Sequence, residues 1–222
     1  VMRDITALNF AAFTAVTLLS SATFAATQVG VVGAANPTVT VRAEDGSTRE
    51  IKSGDKIYLN DTILTNGQGS AQIMFEDKSA LTVSPNSEVV IDTFVYNPES
   101  KNGTMTLSSA KGALRFIGGA LTKQKPVKIT TPVSTIGIRG GIADTFVDAG
   151  GKTDAIFVFG KELTMQGNDG GAPVSVTAFG QGLGVNAGGG APIALPPAVL
   201  QNRMSNSPTR AATNAALPSS GT

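Results

Sequence analysis

The side chain best suited to binding chemistry is Arg139, which stands among Gly137, Gly140 and Gly141. Three glycines so close together indicate positive φ angles, a close approach of two backbone segments, or both. The planar guanidinium has two roles open to it in such a turn. It either holds the turn together by donating to carbonyl oxygens or to Asp144, or it captures an anion or a carboxylate together with backbone N–H groups. The sequence therefore predicts a binding site formed by Arg139, Gly137, Gly140 and Gly141.

Two catalytic motifs are present only in part. Ser108 and Lys111 have the Ser-x-x-Lys spacing of serine acyl-enzymes, a chemistry that needs the serine at the start of a helix and the lysine one turn later. Here the pair lies between two strand-like runs, without the companion Ser-Asp-Asn and Lys-Thr-Gly motifs. The loop around Arg139 also lacks the Gly-Lys-Ser/Thr ending of a Walker loop.

Histidine and cysteine are both absent from the 222 residues. Their absence removes the usual general base at neutral pH, the commonest metal ligand and any disulfide framework. We therefore expect a protein that is not an enzyme, with no catalytic residue, no metal site and no cofactor. The formal net charge of +1 supplies no strong field, so nucleic acid is not an expected partner.

Asp144, Asp148 and Asp154 are the remaining acidic candidates, as Ca²⁺ ligands or as an acid/base pair. Their spacing fits no EF-hand loop, so we interpret them as solvated turn residues.

A basic cluster precedes the Arg139 loop and consists of Arg115, Lys123, Lys125 and Lys128. A solvated face is its default interpretation, and contact with an acidic partner or an anionic glycan is the alternative.

Strands are the elements that must position these residues. Turn signals recur about every eight to twelve residues between Gln28 and Asn186, and no stretch there has convincing helical periodicity. A charged fraction of only 15%, with 26 glycines, is typical of a turn-rich, exported β protein. We predict an all-β fold, an antiparallel or mixed β-sandwich or β-roll, with a disordered C-terminal tail.

Three local predictions follow from the strand pattern. The apolar runs Val127–Ile129 and Ile142–Phe146 flank a turn-rich centre that carries Arg139. Asn66-Gly67 is expected to close a hairpin after the strand Thr62–Thr65. The run Ala155–Phe159 has no polar face and is expected to be buried on both sides.

Composition divides the chain into three segments. Residues 1–26 resemble a signal peptide, with an apolar core and small residues before a cleavage site expected after Ala25, and an uncleaved membrane anchor is the alternative. Residues 27–186 form the β domain. Residues 187–222 are predicted to be a Gly/Pro/Ser-rich linker and disordered tail, in which Ala198–Met204 is compatible with one or two helical turns.

The order of several short motifs resembles the FecR domain family over roughly Gln28–Asn186. The N-terminal motifs are Gly54-Asp55, Asp61-Thr-Ile-Leu-Thr65, Ser70-Ala-Gln-Ile-Met-Phe75, Asp77-Lys-Ser79 and Leu81-Thr-Val-Ser-Pro-Asn-Ser87. The C-terminal motifs are Thr131-Pro-Val-Ser-Thr-Ile-Gly-Ile-Arg-Gly140, Phe146-Val147, Gly160 and Gly180-Gln-Gly182. Gly141 stands where the family usually has threonine.

The resemblance implies an all-β domain of the bacterial envelope. In the regulators of ferric-citrate transport that give the family its name, this domain follows a cytoplasmic anti-sigma segment and a transmembrane helix, and it senses an outer-membrane transporter. Because residues 1–26 are interpreted as a signal peptide, this chain looks like the exported stand-alone proteins with the same domain. Sigma-factor control is therefore not carried over.

We thus expect a non-enzymatic FecR-type β domain that acts as a ligand- or protein-binding module, with signalling as one context. Its expected location is the periplasm, the cell surface or the medium. The alternative is a structural protein that self-assembles in the envelope through unpaired strand edges. Expected partners are an envelope protein, a glycan or a small anion, and a homo-oligomer is also compatible. No membrane span is expected once the signal peptide is cleaved.

Overall fold

The computed structural model describes residues 26–37 and 39–208 of the chain. The predicted signal peptide lies outside the described residues except for Ala26, and so does the predicted tail after Pro208. The strands of the first half are β1 (Gln28–Ala35), β2 (Val39–Arg42), β3 (Thr48–Glu50), β4 (Lys56–Tyr58), β5 (Thr62–Thr65), β6 (Ala71–Phe75), β7 (Ala80–Val83), β8 (Glu88–Asn97) and β9 (Asn102–Ile117). They are followed by α1 (Ala120–Gln124), β10 (Val127–Thr130), β11 (Ser134–Arg139), β12 (Ile142–Val147), β13 (Thr153–Phe159), β14 (Glu162–Gly167), β15 (Val174–Val176), β16 (Gly182–Val185), β17 (Ile193–Ala194) and α2 (Pro197–Ser205).

The seventeen described strands form one continuous hydrogen-bonded sheet that folds over on itself at β9. One half, sheet A, has the order β4-β1-β6-β7-β9-β12-β13-β16-β17. The other half, sheet B, has the order β3-β2-β5-β8-β9-β10-β11-β14-β15. Among the described pairs only β9–β10 is parallel, so the fold is the mixed form of the predicted all-β class.

A single glycine allows β9 to belong to both sheets. The strand pairs with β8 up to Lys111 and with β12 from Gly112 onward. Gly112 has φ +95°, and a Cβ there would lie 2.1 Å from the Ser87 hydroxyl. A side chain at this position is therefore excluded both by backbone conformation and by space.

Alternation along the strands places one apolar face of each sheet inside. Ile73 and Leu81 of sheet A and Ile63 and Ile136 of sheet B are fully buried and belong to one hydrophobic cluster. Each such side chain contributes about 1.5–3 kcal/mol through its removal from water. The predicted all-β class is therefore confirmed, and of the two forms predicted, β-sandwich or β-roll, the two sheets around one core describe the sandwich.

The hairpin predicted at Asn66-Gly67 is wrong. β5 pairs with β2 and β8 in sheet B, whereas β6 pairs with β1 and β7 in sheet A, so the chain crosses between sheets here. The Asn66 side chain accepts hydrogen bonds from the N–H groups of Gln68 and Gly69, at 3.0 and 2.7 Å. This local turn satisfies the backbone without joining two neighbouring strands.

The stretch around Arg139 also differs from its prediction. Most of the expected turn-rich centre is strand β11, which pairs with β10 on one side and β14 on the other. The turns are confined to residues 131–133 and to Gly140-Gly141. The short helix α1 precedes β10, although no helix was predicted before Asn186.

The C-terminal residues that the structure describes return to sheet A. β17 pairs with β16, and α2 includes all of Ala198–Met204, the segment that was compatible with a short helix. We call residues 195–208 the strap. Within residues 26–37 and 39–208, no helix is long and apolar enough to cross a membrane.

Candidate functional site

Three crossings between the two sheets meet at one corner of the sandwich, which we call the glycine corner. The chain leaves sheet A at Gly118-Gly119, enters it at Gly140-Gly141 and leaves it again at Gly160. The crossings are hydrogen-bonded to one another: Gly118 N–H donates to Gly141 O at 2.8 Å, and Lys161 N–H donates to Arg139 O at 3.1 Å.

Close backbone contact explains why these crossings consist of glycine. A Cβ on Gly141 would lie 1.8 Å from Phe159 O, and one on Gly119 would lie 2.3 Å from Asp77 O. Gly160 has φ +133° and faces Gly140 O, 2.4 Å from where its own Cβ would stand. The FecR domain family, which the sequence resembles, usually has threonine at the position of Gly141. A threonine side chain would have no room beside this backbone.

A buried carboxylate fixes α1 at the corner. Asp77 is fully buried and accepts hydrogen bonds from the Ser79 N–H at 3.0 Å, the Ser79 hydroxyl at 2.5 Å and the Leu121 N–H at 3.2 Å. Its backbone oxygen also accepts from Ala120 N–H at 2.8 Å. Asp77 therefore ties the β6–β7 turn to the first residues of α1.

A groove of about 530 Å³ opens at this corner, and we call it the glycine corner groove. Two lysines, Lys123 and Lys161, line it, and no acidic residue does. Its apolar lining is a row of three side chains across sheet A, since Ile142 pairs with both Ile117 and Phe159. Thr122 and the glycines Gly118, Gly119, Gly140 and Gly141 complete the wall.

The four predicted binding residues do not all reach this groove. Gly140 and Gly141 line it, whereas Arg139 and Gly137 lie on β11 and alternate with its buried Ile136 and Ile138. Arg139 is exposed and stands opposite Glu162 in the pairing of β11 with β14. Its guanidinium makes no hydrogen bond within the described part of the chain, and Asp144, the partner considered for it, is bound elsewhere.

Arg115 is the residue that binds Asp144. Its Nε donates to Asp144 Oδ1 at 2.6 Å and its Nη2 to Oδ2 at 2.7 Å, across the β9–β12 pair. Asp144 is 2% exposed, so its interpretation as a solvated turn residue is wrong. Of the predicted basic cluster, Arg115 therefore has its charge balanced by a buried carboxylate, whereas Lys123 forms no ion pair with another described residue.

Asp154 is also buried, in β13, and its interpretation as a solvated residue is equally wrong. Its Oδ2 accepts from Nε and Nη2 of Arg203, which the strap provides, at 3.0 and 2.8 Å. The same guanidinium lies 4.9 Å from the centroid of the Phe146 ring. Only Asp148 occupies a turn, where it accepts from the N–H groups of Gly150 and Lys152.

The prediction that Ala155–Phe159 is buried on both sides fails at its last two residues, since Val158 is only half-buried and Phe159 is exposed. Ala155, Ile156 and Phe157 are buried, but Phe159 is 69% exposed. Ile156 is buried on the outer face of sheet A because Leu195 and α2 of the strap cover it. Phe159 instead lines the glycine corner groove.

Sequence reasoning missed Phe159 and Lys161 as candidate groove residues. Their signal is Gly160 between them, which marks a crossing of the same kind as Gly140-Gly141.

Another depression, of about 750 Å³, lies in the N-terminal half of the chain beside Arg49 and Asp61. Asp61 is buried and accepts from Arg49 Nη2 at 2.7 Å and from the Tyr58 N–H at 2.9 Å. At its rim, hydrogen bonds from the side chain and backbone of Ser47 lower the pKa of Asp45. Within residues 26–37 and 39–208, no group of three or more acidic side chains is arranged to hold a metal ion.

Comparison with known proteins gives one family match. Residues 61–161 match the model of the family described as FecR protein. No curated protein matches the chain.

Two kinds of solved structure are similar to the chain. A cell surface anchoring domain is 32% identical over 28% of this chain and 82% of its own chain, with a TM-score of 0.27. A protein from Parabacteroides distasonis, provisionally described as an anti-sigma factor, is 12% and 10% identical in two crystal structures. Each of these covers 60% of this chain and 58% of its own, with a TM-score of 0.46.

Proposed function

The chain belongs to the FecR domain family through residues 61–161, and from this premise we propose that it is a non-enzymatic binding module of the bacterial envelope. Its ligand is an acidic segment of an envelope protein that also carries an apolar side chain. The glycine corner groove is the site that takes this segment.

One observation carries the proposal: two lysines and a row of apolar side chains share a groove that no acidic residue lines. Lys123 and Lys161 are exposed, and neither forms an ion pair with another described residue. Cations without a neighbouring carboxylate attract an anionic ligand and discriminate against a cationic one.

The apolar row favours a protein segment over a small anion. Phe159 is 69% exposed and Ile117 is 36% exposed, and an inorganic anion would leave both in contact with water. Aromatic side chains are enriched at the centres of protein interfaces because they bury a large apolar area. A glutamate or aspartate beside a phenylalanine or leucine satisfies both features of the groove.

Arg139 takes a secondary part in this proposal. It immediately precedes Gly140 in the chain, but its side chain faces the outer side of sheet B, where Glu162 lies opposite. It therefore adds positive potential near the groove without lining it. The backbone of Gly140 and Gly141 forms part of the wall, and Gly137 keeps β11 close to Thr164.

The test uses a fluorescent peptide with the sequence Glu-Phe-Glu and its counterpart Lys-Phe-Lys. We expect the acidic peptide to bind and the basic one not to bind. Lys161→Ala and Lys123→Ala should each weaken binding about two- to fivefold, as exposed ion pairs do. Arg139→Ala should weaken it less, and Lys52→Ala, an exposed lysine outside the groove, should have no effect. Equal losses for Lys52→Ala and Lys161→Ala would contradict the assignment of the site.

Location in the envelope is a separate part of the proposal and rests on the family and on the predicted signal peptide. Fractionation of cells that express the full chain, with N-terminal sequencing of the product, tests it. The expected product begins after Ala25 and is found outside the cytoplasm. A cytoplasmic product with residues 1–26 intact would contradict it.

Self-assembly through strand edges ranks second because the four outermost strands are short. β3, β4 and β15 have three residues each and β17 has two, so each offers few unpaired backbone groups to another chain.

A further inference from the structure

The apolar side chains of the glycine corner groove are one end of a longer row on the outer face of sheet A. We propose that the whole row is a binding surface, and that it takes an amphipathic helix of a partner protein with acidic residues at both ends. The inference rests on the proposed function, because the groove with Lys123 and Lys161 forms one end of this surface. It gives the ligand a secondary structure, a length and a second region of contact.

Register aligns one outward side chain from each of seven consecutive strands of sheet A. Across β4, β1, β6, β7, β9, β12 and β13 these are Lys56, Val31, Met74, Ala80, Ile117, Ile142 and Phe159. Their neighbours along the strands, such as Ile73 and Leu81, belong to the core, so the row faces outward. Val158 is the unpaired residue of a β-bulge, which keeps Phe159 on the outer face beside Ile142. We call the six apolar members the apolar row.

The apolar row contains a large share of the exposed apolar side chains. Nine large apolar residues are exposed in the part of the chain that the structure describes, and four of them stand in this row: Val31, Met74, Ile117 and Phe159. Single exposed apolar residues are ordinary on a protein surface, whereas a contiguous set marks a site of interaction. The row therefore extends the contact region from the groove to the other end of the sheet.

Lysines stand at both ends of the apolar row. Lys56 continues the row beyond β1, and Lys123 and Lys161 line the groove at the β13 end. None of the three forms an ion pair with another described residue. Near the middle, Glu76 and Lys78 are both exposed in the turn between β6 and β7, where their charges offset each other. The ends of the row therefore attract anionic groups, and the centre does not.

The spacing of the row favours a helical ligand. Neighbouring strands lie about 4.8 Å apart, so the six apolar members span about 24 Å. A helix along the row presents an apolar side chain about every 5.4 Å, close to the strand spacing, and about sixteen residues cover the length. An extended segment repeats its side chains on one face about every 6.8 Å and falls out of step after two strands. A helix can thus place one apolar side chain near each strand.

The narrow width of the row argues against a membrane as its occupant. The next outward side chains on β6, β7 and β9 are polar, namely Gln72, Thr82 and Arg115. A bilayer on the apolar row would also cover these polar groups, whereas a helix is only about 10 Å wide. A second copy of the chain is disfavoured as well, because both two-fold arrangements of facing rows bring lysines against lysines.

The test compares two fluorescent peptides of about eighteen residues with the same composition. Both carry two glutamates at each end. In the first, the striped peptide, leucine recurs every three or four residues along one helical face, and in the second the same leucines are distributed around the helix. We expect the striped peptide to bind at least about tenfold more tightly than Glu-Phe-Glu, and its isomer to bind no better than Glu-Phe-Glu.

Two substitutions on β6 separate the row from its surroundings. Met74→Glu places a charge in the middle of the row, whereas Gln72→Glu adds the same charge on the same strand and face, one row away. The first should weaken the striped peptide about tenfold or more, and the second at most about twofold. Lys56→Ala should weaken it about two- to fivefold. All three variants should bind Glu-Phe-Glu as the wild-type chain does, which also shows that they are folded.

Several results would overturn the inference. Equal affinity of the two long peptides, or equal losses from Met74→Glu and Gln72→Glu, would mean that the row is not a site, and binding of Glu-Phe-Glu that depends on Lys161 would then leave the proposed function intact. Binding to phosphatidylglycerol vesicles that Met74→Glu abolishes, without binding of the striped peptide, would assign the row to a membrane. Dimers in sedimentation that Met74→Glu abolishes would assign it to a second copy.

One further result separates the row from the groove. Binding of the striped peptide that responds to Met74→Glu but not to Lys161→Ala would support the row and refute the acidic ligand of the glycine corner groove.

Discussion

Gly141→Ala is the substitution that most directly tests the geometry of the glycine corner. The added methyl group would lie 1.8 Å from Phe159 O, 2.6 Å from Gly160 Cα and 2.7 Å from Phe159 C. All three atoms belong to the backbone, so no side chain can rotate away. The start of β12 and the end of β13 must therefore separate.

The size of this displacement sets the expected cost. Ordinary contact begins at 3.4 Å, so the two backbones must move apart by about 1.6 Å. Such a shift strains the hydrogen bond from Gly118 N–H to Gly141 O, which is 2.8 Å long, and the pairing of Ile142 with Phe159. Forced repacking of this kind costs typically about 1–3 kcal/mol. For a domain of this size the melting temperature should fall by roughly 2–4 °C per kcal/mol.

Thermal unfolding followed by circular dichroism measures the effect, with Gly188→Ala as the matched control. A Cβ on Gly188 meets no atom within 4 Å, and its φ angle lies outside the left-handed region. We expect the control to melt at or slightly above the wild-type temperature, because alanine restricts the unfolded chain. A Gly141→Ala chain that melts with its control would refute the close approach at this corner.

Three further substitutions test other parts of the account. Asp61→Ala leaves the Tyr58 N–H and the Arg49 guanidinium without their acceptor and should lower the free energy of unfolding by about 2 kcal/mol. The expected loss is modest because the Arg49 side chain is one-third exposed to water. Urea unfolding measures this loss, and an unchanged midpoint would contradict the prediction. Asp77→Ala removes the buried acceptor of Leu121 N–H and should cost about 3 kcal/mol. Hydrogen exchange should then accelerate first in α1, and uniform acceleration would mean that Asp77 does not act on α1 in particular. Phe116→Ala empties a fully buried site between the sheets and should cost about 3–5 kcal/mol, whereas Phe159→Ala, at an exposed site, should leave the urea midpoint nearly unchanged.

The strand pattern could be predicted where one face is buried and the other is not. Ala71, Ile73 and Phe75 alternate with exposed or half-buried residues, and β6 follows that alternation. The glycines that flank Arg139 likewise indicated a close backbone approach, which is present at Gly141. These features depend on neighbouring residues alone, so the sequence contains them.

Crossings between the sheets could not be predicted in the same way. Asn66-Gly67 has the composition of a hairpin turn, and only the pairing of distant strands decides that the chain passes to the other sheet. The passage of β9 from one sheet to the other at Gly112 likewise depends on distant strands, since β8 pairs before this glycine and β12 from it onward.

The two buried carboxylates show a further limit of local reasoning. Asp144 and Asp154 are buried because Arg115 and Arg203 reach them from positions 29 and 49 residues away along the chain. Their location within apolar strand runs was the available signal. The segment that provides Arg203 has the composition of a linker and tail, so its own residues do not indicate a partner for Asp154.

The central claim, an acidic ligand in the glycine corner groove, is tested most directly by amide chemical-shift mapping. The labelled chain is titrated with the Glu-Phe-Glu peptide, and with the Lys-Phe-Lys peptide as the control. The account predicts that the largest shifts fall on Gly118, Gly119, Thr122, Gly140 and Gly141, with the acidic peptide only. Shifts that centre on another part of the sandwich, or that are the same for both peptides, would contradict it.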